Sequence, residues 1–189
     1  MDERVRRAMA RWPKVPALYG WLRLDETGRW WLDGAIVRNQ ALFDYIGRNY
    51  TCNGAGEWYF QNGPQRGFVA LDHAPWVLHL DSAGTLRNHI GEAAALTGVA
   101  VLDDEGNLLL ETARGPGLLA GDSLDMVAEG LTHADGRPAG IEAIEAAIGS
   151  GDPGGLQLTI AGCRMPLRFI PWGAIPKRFG FVRDPQPPG

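Results

Sequence analysis

The side chains best suited to binding chemistry fall in one short segment between two apolar runs. Gln61, Asn62, Gln65 and Arg66 supply amide and guanidinium groups, and Trp58 precedes them by three residues. Such N–H groups can hold a carboxylate or a phosphate through paired hydrogen bonds. The segment also contains an Asn-Gly pair, which is typical of tight turns, so a purely structural loop is the other interpretation. We predict ligand-binding residues at Trp58, Gln61, Asn62, Gln65 and Arg66.

A second set of candidate residues consists of histidines near acidic residues. His73 and His79 lie close in sequence to Asp72 and Asp81, but their spacing matches no zinc motif. We therefore predict no metal site and assign no catalytic residue. The alternative is a small-molecule enzyme whose site lies between the two halves of the chain and uses His73 or His79 as its acid–base group.

One glycine pattern suggests a nucleotide site. The run from Gly115 to Ala120 fits G-x-G-x-x-A, and Asp135 follows at a suitable interval. However, Asp135 belongs to an Asp-Gly turn, and no alternating series of strands and helices surrounds the run. We interpret the run as a glycine-rich turn and predict no cofactor.

Charge and composition restrict the classes of partner. Residues 1–80 hold 10 Lys and Arg against 8 Asp and Glu, whereas residues 81–189 hold 8 against 14. The net charge of −4 does not favour nucleic acid as a partner. The sequence contains neither a membrane-spanning run nor a signal peptide, so we expect no membrane association and a cytoplasmic location. In that compartment, we expect the thiols of Cys52 and Cys163 to be reduced.

The periodicity of apolar residues predicts an α+β fold made of two small β-rich domains. Helices are expected over residues 2–12 and 38–49, and strands over residues 57–61 and 67–71, with a loop between these two strands. The first domain is predicted to be an antiparallel sheet with two helices. The second is predicted to be a β-roll or barrel-like sheet with one or two short helices.

The charge asymmetry and a concentration of tryptophan in the first half place a domain boundary near residue 82. We predict a Trp-rich α+β domain at 1–82, a β-rich acidic domain at 83–182 and a disordered tail at 183–189. Residues 24–32 and 102–110 have the same order of apolar, acidic and glycine positions. We attribute this match to shared hairpin-turn chemistry.

Several stretches carry a family resemblance, namely residues 31–38, 57–66, 69–75 and 175–181. Through them, the chain resembles a proteobacterial conserved-hypothetical family of unknown function over most of its length. A looser pattern of hairpin, helix, paired strands and rolled β domain is similar to another uncharacterised bacterial family of two small β-rich domains. Neither resemblance implies an activity.

These observations favour a non-enzymatic binding or protein-interaction module that uses the surface of the 58–66 hairpin. Its partner would be an unidentified protein or a small anionic ligand. A structural role through an exposed strand edge is a further alternative. The oligomeric state is left open by the sequence.

Overall fold

The structure is a computed structural model that describes residues 1–11, 15 and 17–188, apart from the side chains of residues 124–126. The chain divides into two compact units. The first comprises Met1–Pro75 together with the segment that begins at Gly180, and the second comprises Trp76–Phe179. The predicted α+β fold with two β-rich units is confirmed.

The first unit is built on a six-stranded sheet with the strand order β3-β2-β1-β6-β5-β4. Its strands are β1 (Leu18–Leu24), β2 (Trp30–Leu32), β3 (Ala35–Ile36), β4 (Tyr50–Cys52), β5 (Trp58–Asn62) and β6 (Gln65–Leu71). The pairing of β1 with β6 is parallel, whereas the neighbouring pairs are antiparallel as expected. The parallel pair arises because a long connection, which includes a helix, separates β1 from β6.

Two helices accompany this sheet, α1 (Glu3–Arg11) and α2 (Gln40–Arg48). Helix α2 begins after Asn39, whose side-chain oxygen accepts a hydrogen bond from the Leu42 N–H at 3.0 Å. Its Tyr45 ring meets Phe60 of β5 edge-on, with centroids 5.3 Å apart. The core of the unit therefore lies between α2 and the face of the sheet that carries Phe60. The predicted end of the first helix, residue 12, lies outside the described residues.

The second unit contains an eight-stranded curled sheet with the order β12-β13-β14-β9-β10-β11-β7-β8. Its strands are β7 (Trp76–Leu80), β8 (Leu86–Asn88), β9 (Leu96–Leu102), β10 (Leu108–Thr112), β11 (Gly115–Leu119), β12 (Leu131–Thr132), β13 (Gln157–Ile160) and β14 (Cys163–Phe169). Its α-helices are α3 (Leu124–Gly130), α4 (Ile141–Ser150) and α5 (Ile175–Phe179). The core is aliphatic, and Leu78, Leu109 and Leu158 are completely buried.

The division between the units differs from the sequence-based boundary at residues 82 and 83. Strand β7 pairs with β11 and β8, so it belongs to the second unit and the division falls after Pro75. The turn at residues 81–84, which lies at the predicted boundary, joins β7 to β8 within one sheet. A turn sequence marks a change of chain direction and carries no information about which sheet the next strand enters.

Arg183, the first residue of the predicted disordered tail, and the preceding Val182 are hydrogen-bonded to the first unit. The Val182 N–H donates to the Gly56 carbonyl at 2.9 Å, and the Leu71 N–H donates to the Arg183 carbonyl at 2.7 Å. The Arg183 guanidinium also donates to the Asp72 carbonyl at 2.8 Å. These backbone partners come from residues far away in sequence, so the composition of the segment alone did not indicate them.

One hairpin turn recurs in both units. In each copy, the side-chain oxygen of an Asp or Asn accepts the backbone N–H groups two and four residues ahead. A glycine three residues ahead has a φ of 77° to 83°. The copies begin at Asp25, Asn53, Asp81, Asn88 and Asp103. This confirms that residues 24–32 and 102–110 share their turn chemistry.

Within the described residues, every helix is too short or too polar to cross a bilayer.

Candidate binding site

The β5–β6 hairpin carries all five predicted binding residues on regular strands rather than on a loop. Its loop contains only two residues, Gly63 and Pro64. Gln61 pairs directly with Arg66, and Asn62 pairs with Gln65. The loop predicted between the two strands is therefore mostly strand. Because neighbouring strand residues point to opposite faces, the two pairs lie on different sides of the sheet.

The pair formed by Gln61 and Arg66 faces a cavity of about 420 Å³ within the first unit, called the Gln61 cavity below. Its walls come from the N-terminal segment, from β1, from the turn that begins at Asn53 and from the β5–β6 hairpin. The described lining residues are Met9, Val15, Ala17, Tyr19, Asn53, Glu57, Gln61, Pro64, Arg66 and Phe68. A cavity of this size falls within the range of small-molecule sites.

Asn62 and Gln65 line a separate hollow of about 180 Å³ on the opposite face of the sheet. The Asn62 side-chain oxygen accepts a hydrogen bond from the Tyr45 hydroxyl of α2 at 3.4 Å. The other walls of this hollow are largely apolar and include Trp21, which is 55% exposed. The sequence grouped these two residues with Gln61 and Arg66, and the structure separates them.

Trp58 occupies a third environment, the core of the first unit. It shares the face of β5 with Phe60 and Asn62, is 7% exposed, and its ring lies 4.8 Å from that of Tyr50. It therefore does not share a surface with Gln61. The aromatic residue of β5 on the same face as Gln61 is Tyr59, because side chains alternate along the strand.

Gln61 is fully buried, and its side-chain amide has a fixed orientation. Its Nε2 donates to the carbonyls of Gly63 at 2.9 Å and Gln65 at 3.1 Å, so both amide protons are used at the hairpin tip. Its Oε1 is buried and has no hydrogen-bond partner among the described residues. Most buried polar atoms are hydrogen-bonded, so this acceptor is an exception among the buried atoms of the unit.

Arg66 supplies the positive charge of the cavity. Its guanidinium lies over the Tyr59 ring, with Cζ 5.0 Å from the ring centroid. No carboxylate of the described chain lies within ion-pair distance of this guanidinium. It is exposed and can accept an anion from the cavity.

The apolar wall is formed by two stacked aromatic rings and a helix residue. Tyr19 of β1 stacks on Phe68 of β6, with centroids 4.6 Å apart and planes inclined by 7°. Met9 of α1 adds an aliphatic side chain. Helix α1 is held beside the sheet at its start, where the Asp2 N–H donates to the Asn49 side-chain oxygen at 2.8 Å.

The far end of the cavity carries a carboxylate that is held in place by a turn. The Asn53 oxygen accepts the backbone N–H groups of Ala55 and Glu57, while its Nδ2 donates to Glu57 Oε2 at 2.7 Å. Glu57 is therefore oriented by Asn53. Glu57 and Arg66 carry opposite charges, so the described lining residues have no net charge.

The sequence missed Tyr19, Glu57 and Phe68 as members of the site. Counting back from Gln61 in steps of two reaches Tyr59 and Glu57, and counting forward from Arg66 reaches Phe68. This alternation is visible in the sequence, but it identifies these residues only if the loop between β5 and β6 is known to contain two residues. Tyr19 gives no comparable signal, because its approach to Phe68 follows from the parallel pairing of β1 with β6.

The histidines considered for catalysis lie in different units. His73 is 5% exposed in the first unit. His79 lies on β7 of the second unit, with its Nδ1 3.3 Å from Asp122 Oδ2 and its side chain 38% exposed. A search of the described residues finds no cluster of three or more His, Cys, Asp or Glu that could hold a metal ion.

The glycine run that resembled a nucleotide motif is itself the strand β11. Gly117 lies against Leu78 of β7, and a Cβ at this position would come within 2.5 Å of the Leu78 side chain. The glycine therefore permits close packing of two strands and does not form a phosphate-binding loop.

Comparisons with known proteins agree with the fold and add no activity. No curated protein matches the chain. The structure of a DUF1285 family protein from Silicibacter pomeroyi DSS-3 is similar, with a TM-score of 0.55 and 15% identity over 85% of this chain and 86% of that one. A DUF1285 family protein from Shewanella baltica OS155 gives a TM-score of 0.42 and 16% identity over 56% of this chain and 87% of that one.

At such identities, the likeness to the Silicibacter protein shows the fold alone. A family model, DUF2944, with the description "Protein of unknown function (DUF2946)", matches residues 1–186. The resemblance to a family of unknown function that was inferred from the sequence is thus confirmed. Because the match spans nearly the whole chain, this protein belongs to the DUF2944 family.

Proposed function

We propose that the first unit binds a small organic carboxylate in the Gln61 cavity, with Arg66 as the anion-binding residue. The observation that carries this proposal is the exposed Arg66 guanidinium, which lines a cavity of about 420 Å³ and has no carboxylate partner among the described residues. The proposal keeps the hairpin and the small anionic ligand expected from the sequence. It moves the site to one face of that hairpin.

The charge of the cavity favours a carboxylate over a phosphate. Arg66 is the one cationic side chain among the described lining residues, and Glu57 contributes a negative charge. A phosphate dianion would need more positive charge than one guanidinium supplies and would be repelled by Glu57. A guanidinium matches a carboxylate with two parallel N–H donors.

The stacked rings favour a ligand with an apolar body. The half-buried Tyr19 ring stacks on the buried Phe68 ring, and Phe68 lies two residues from Arg66 on the same face of β6. A ligand whose carboxylate meets the guanidinium can therefore place its hydrocarbon part against Tyr19. Burial of that part provides affinity through the hydrophobic effect.

The test uses 3-phenylpropionate as a probe and measures binding by NMR titration of the full-length protein. We expect shifts at Tyr19, Gln61 and Phe68, and a Kd that rises about 10-fold or more in Arg66→Gln, because a charge-assisted hydrogen bond is lost. The matched control is Gln65→Ala, one residue away but on the opposite face of the sheet, which should leave the Kd unchanged.

Two results would overturn the proposal. One is the absence of any saturable shift at the three reporter residues. The other is binding that is as strong in Arg66→Gln as in the unmodified protein.

A further inference from the structure

We infer that the ligand of the Gln61 cavity is an ω-amino carboxylate, whose carboxylate binds Arg66 and whose ammonium, at the other end of a hydrocarbon chain, binds Glu57. The inference rests on the proposed carboxylate binding and names the ligand class that the second charge of the same cavity selects. The described lining holds one cation and one anion, and these two side chains do not form an ion pair with each other.

Glu57 presents an oriented carboxylate to the cavity. Its Oε2 accepts a hydrogen bond from Asn53 Nδ2 at 2.7 Å, which fixes the direction of the side chain. Its Oε1 makes no hydrogen bond with the described residues and is not buried. The residue is half-buried in the wall of the cavity, and no cation of the described chain lies within ion-pair distance of it. One oxygen of Glu57 is therefore left for a ligand cation.

The two charges lie on the same face of the sheet and are separated along β5. Glu57 and Gln61 are four residues apart, which corresponds to about 13 Å at about 3.4 Å per residue. Arg66 pairs directly with Gln61, and its guanidinium lies over the ring of Tyr59, midway between Gln61 and Glu57. The guanidinium therefore extends towards Glu57, and the gap that is left corresponds to about two residues of strand, or about 7 Å.

Apolar side chains form another part of the wall. Met9 and Val15 are half-buried and line the cavity together with the half-buried ring of Tyr19. A chain of several methylene groups between the two charged ends of a ligand can lie against these side chains. Burial of that chain adds affinity that does not depend on either charge.

Two other classes of carboxylate fit this pair of charges less well. An α-amino acid carries its ammonium on the carbon next to the carboxylate, so a carboxylate held by Arg66 would keep the ammonium away from Glu57. A carboxylate with a purely apolar tail would place hydrocarbon against Glu57. Such a tail would remove water from an unpaired charge, which is costly.

The test compares three ligands with chains of similar length by isothermal titration of the full-length protein. The ligand 6-aminohexanoate carries its ammonium at the far end of the chain, and its isomer L-2-aminohexanoate carries it beside the carboxylate. Heptanoate replaces the terminal ammonium with a methyl group. We expect 6-aminohexanoate to bind about 10-fold more tightly than either of the others, because it alone forms a charge-assisted hydrogen bond with Glu57.

A variant assigns the preference to Glu57. Glu57→Gln removes the charge but keeps an oxygen that accepts from Asn53 Nδ2, so the Kd of 6-aminohexanoate should rise about 10-fold while that of heptanoate does not rise. The control is Asp44→Asn, which removes a negative charge from an exposed residue of α2 on the opposite side of the sheet. It should leave both values unchanged. Should Glu57→Gln fold poorly, the three-ligand comparison on the unmodified protein decides by itself.

The outcomes separate this inference from the proposed function. If heptanoate binds as tightly as 6-aminohexanoate and loses affinity in Arg66→Gln, the ω-amino class is wrong and carboxylate binding stands. Equal binding of L-2-aminohexanoate, or a preference for 6-aminohexanoate that persists in Glu57→Gln, would likewise reject an ammonium site at Glu57. If 6-aminohexanoate does not bind, the inference falls, and the titration with 3-phenylpropionate decides the proposed function separately.

Discussion

Trp31 donates its indole N–H to the Asp25 carboxylate at 2.7 Å, six residues back along the chain. The other oxygen of Asp25 accepts the backbone N–H groups of Thr27 and Arg29, which close the recurring turn. Burial by itself raises the pKa of the Asp25 carboxyl. The hydrogen bonds from Trp31, Arg29 and Thr27 outweigh burial and lower this pKa from 3.8 to about 2.

The first prediction concerns the acid stability that Asp25 provides. Its pKa is lower in the folded chain than in the unfolded chain, so its stabilising effect is complete above about pH 4 and is lost as the pH falls towards 2. Asp25→Asn should lower the free energy of unfolding by about 2 kcal/mol at pH 7, and by much less at pH 2.5. Urea unfolding at several pH values measures this difference.

The matched control for Asp25→Asn is Asp135→Asn. The backbone N–H and guanidinium of Arg137 also lower the pKa of Asp135, but its side chain is exposed to solvent. We expect this substitution to have a much smaller effect, because water screens the interaction. An equal decrease in the free energy of unfolding of the two variants would show that the buried hydrogen bonds of Asp25 stabilise the fold no more than the exposed ones of Asp135.

The second prediction concerns the approach of the C-terminal segment to Gly56. Gly56 has a φ of 82°, and a Cβ there would lie 2.3 Å from the Gly180 carbonyl oxygen. Gly56→Ala should lower the free energy of unfolding by about 3 kcal/mol, from left-handed backbone strain and overpacking. Chemical denaturation provides the measurement.

The control is Gly63→Ala in the β5–β6 loop. Gly63 also has a positive φ of 56°, but a Cβ there would have no neighbour within 4 Å. This variant should lose only about 1 kcal/mol, from backbone strain alone. A loss at Gly63 as large as that at Gly56 would contradict the close contact with Gly180.

The third prediction concerns the two thiols. Burial raises the pKa of the Cys52 thiol, and the negative charge of Glu57 raises it further, whereas Cys163 is exposed. Because the thiolate is the reactive form, iodoacetamide at neutral pH should alkylate Cys163 at least about 10-fold faster than Cys52. Peptide mass spectrometry over time measures both rates, and the difference should vanish in urea. Faster labelling of Cys52 would contradict the burial described here.

The fourth prediction concerns the order of the C-terminal segment. The Val182 N–H donates to the Gly56 carbonyl, and the Leu71 N–H donates to the Arg183 carbonyl. Both amides should exchange with deuterium about 100-fold or more slowly than an unstructured chain does. NMR-detected hydrogen exchange measures each amide. Unprotected exchange at Leu71, whose N–H donates to the Arg183 carbonyl, would instead support the disordered tail predicted from residue 183.

Much of the fold follows from local sequence signals. Turn chemistry at Asp25 and Asp103 depends on residues within five positions of each other, so it is visible in the sequence and recurs in the structure. The same holds for the cap of α2 at Asn39. Local alternation and turn signals together suffice for an α+β fold of two β-rich units.

The candidate site was only partly visible in the sequence. Residue type identified Gln61 and Arg66 as binding groups, and both line the cavity. The grouping with Asn62 and Gln65 was wrong in space, because it assumed a loop where the strands continue to a two-residue turn. Side chains alternate between the two faces only where the backbone is extended, so the positions of the strand ends decide which of these residues share a face.

By itself, the sequence determined which turns close, which segments form strands and which side chains can bind an anion, since these depend on neighbouring residues. Tertiary structure alone decided that β1 pairs with β6, which brings Tyr19 onto Phe68, and that the segment after Gly180 closes over Gly56. It also buried Gln61 Oε1 where no other described residue donates to it. These features depend on contacts between residues far apart in the chain, whose pairing is set by the packing of the whole unit and not by local sequence.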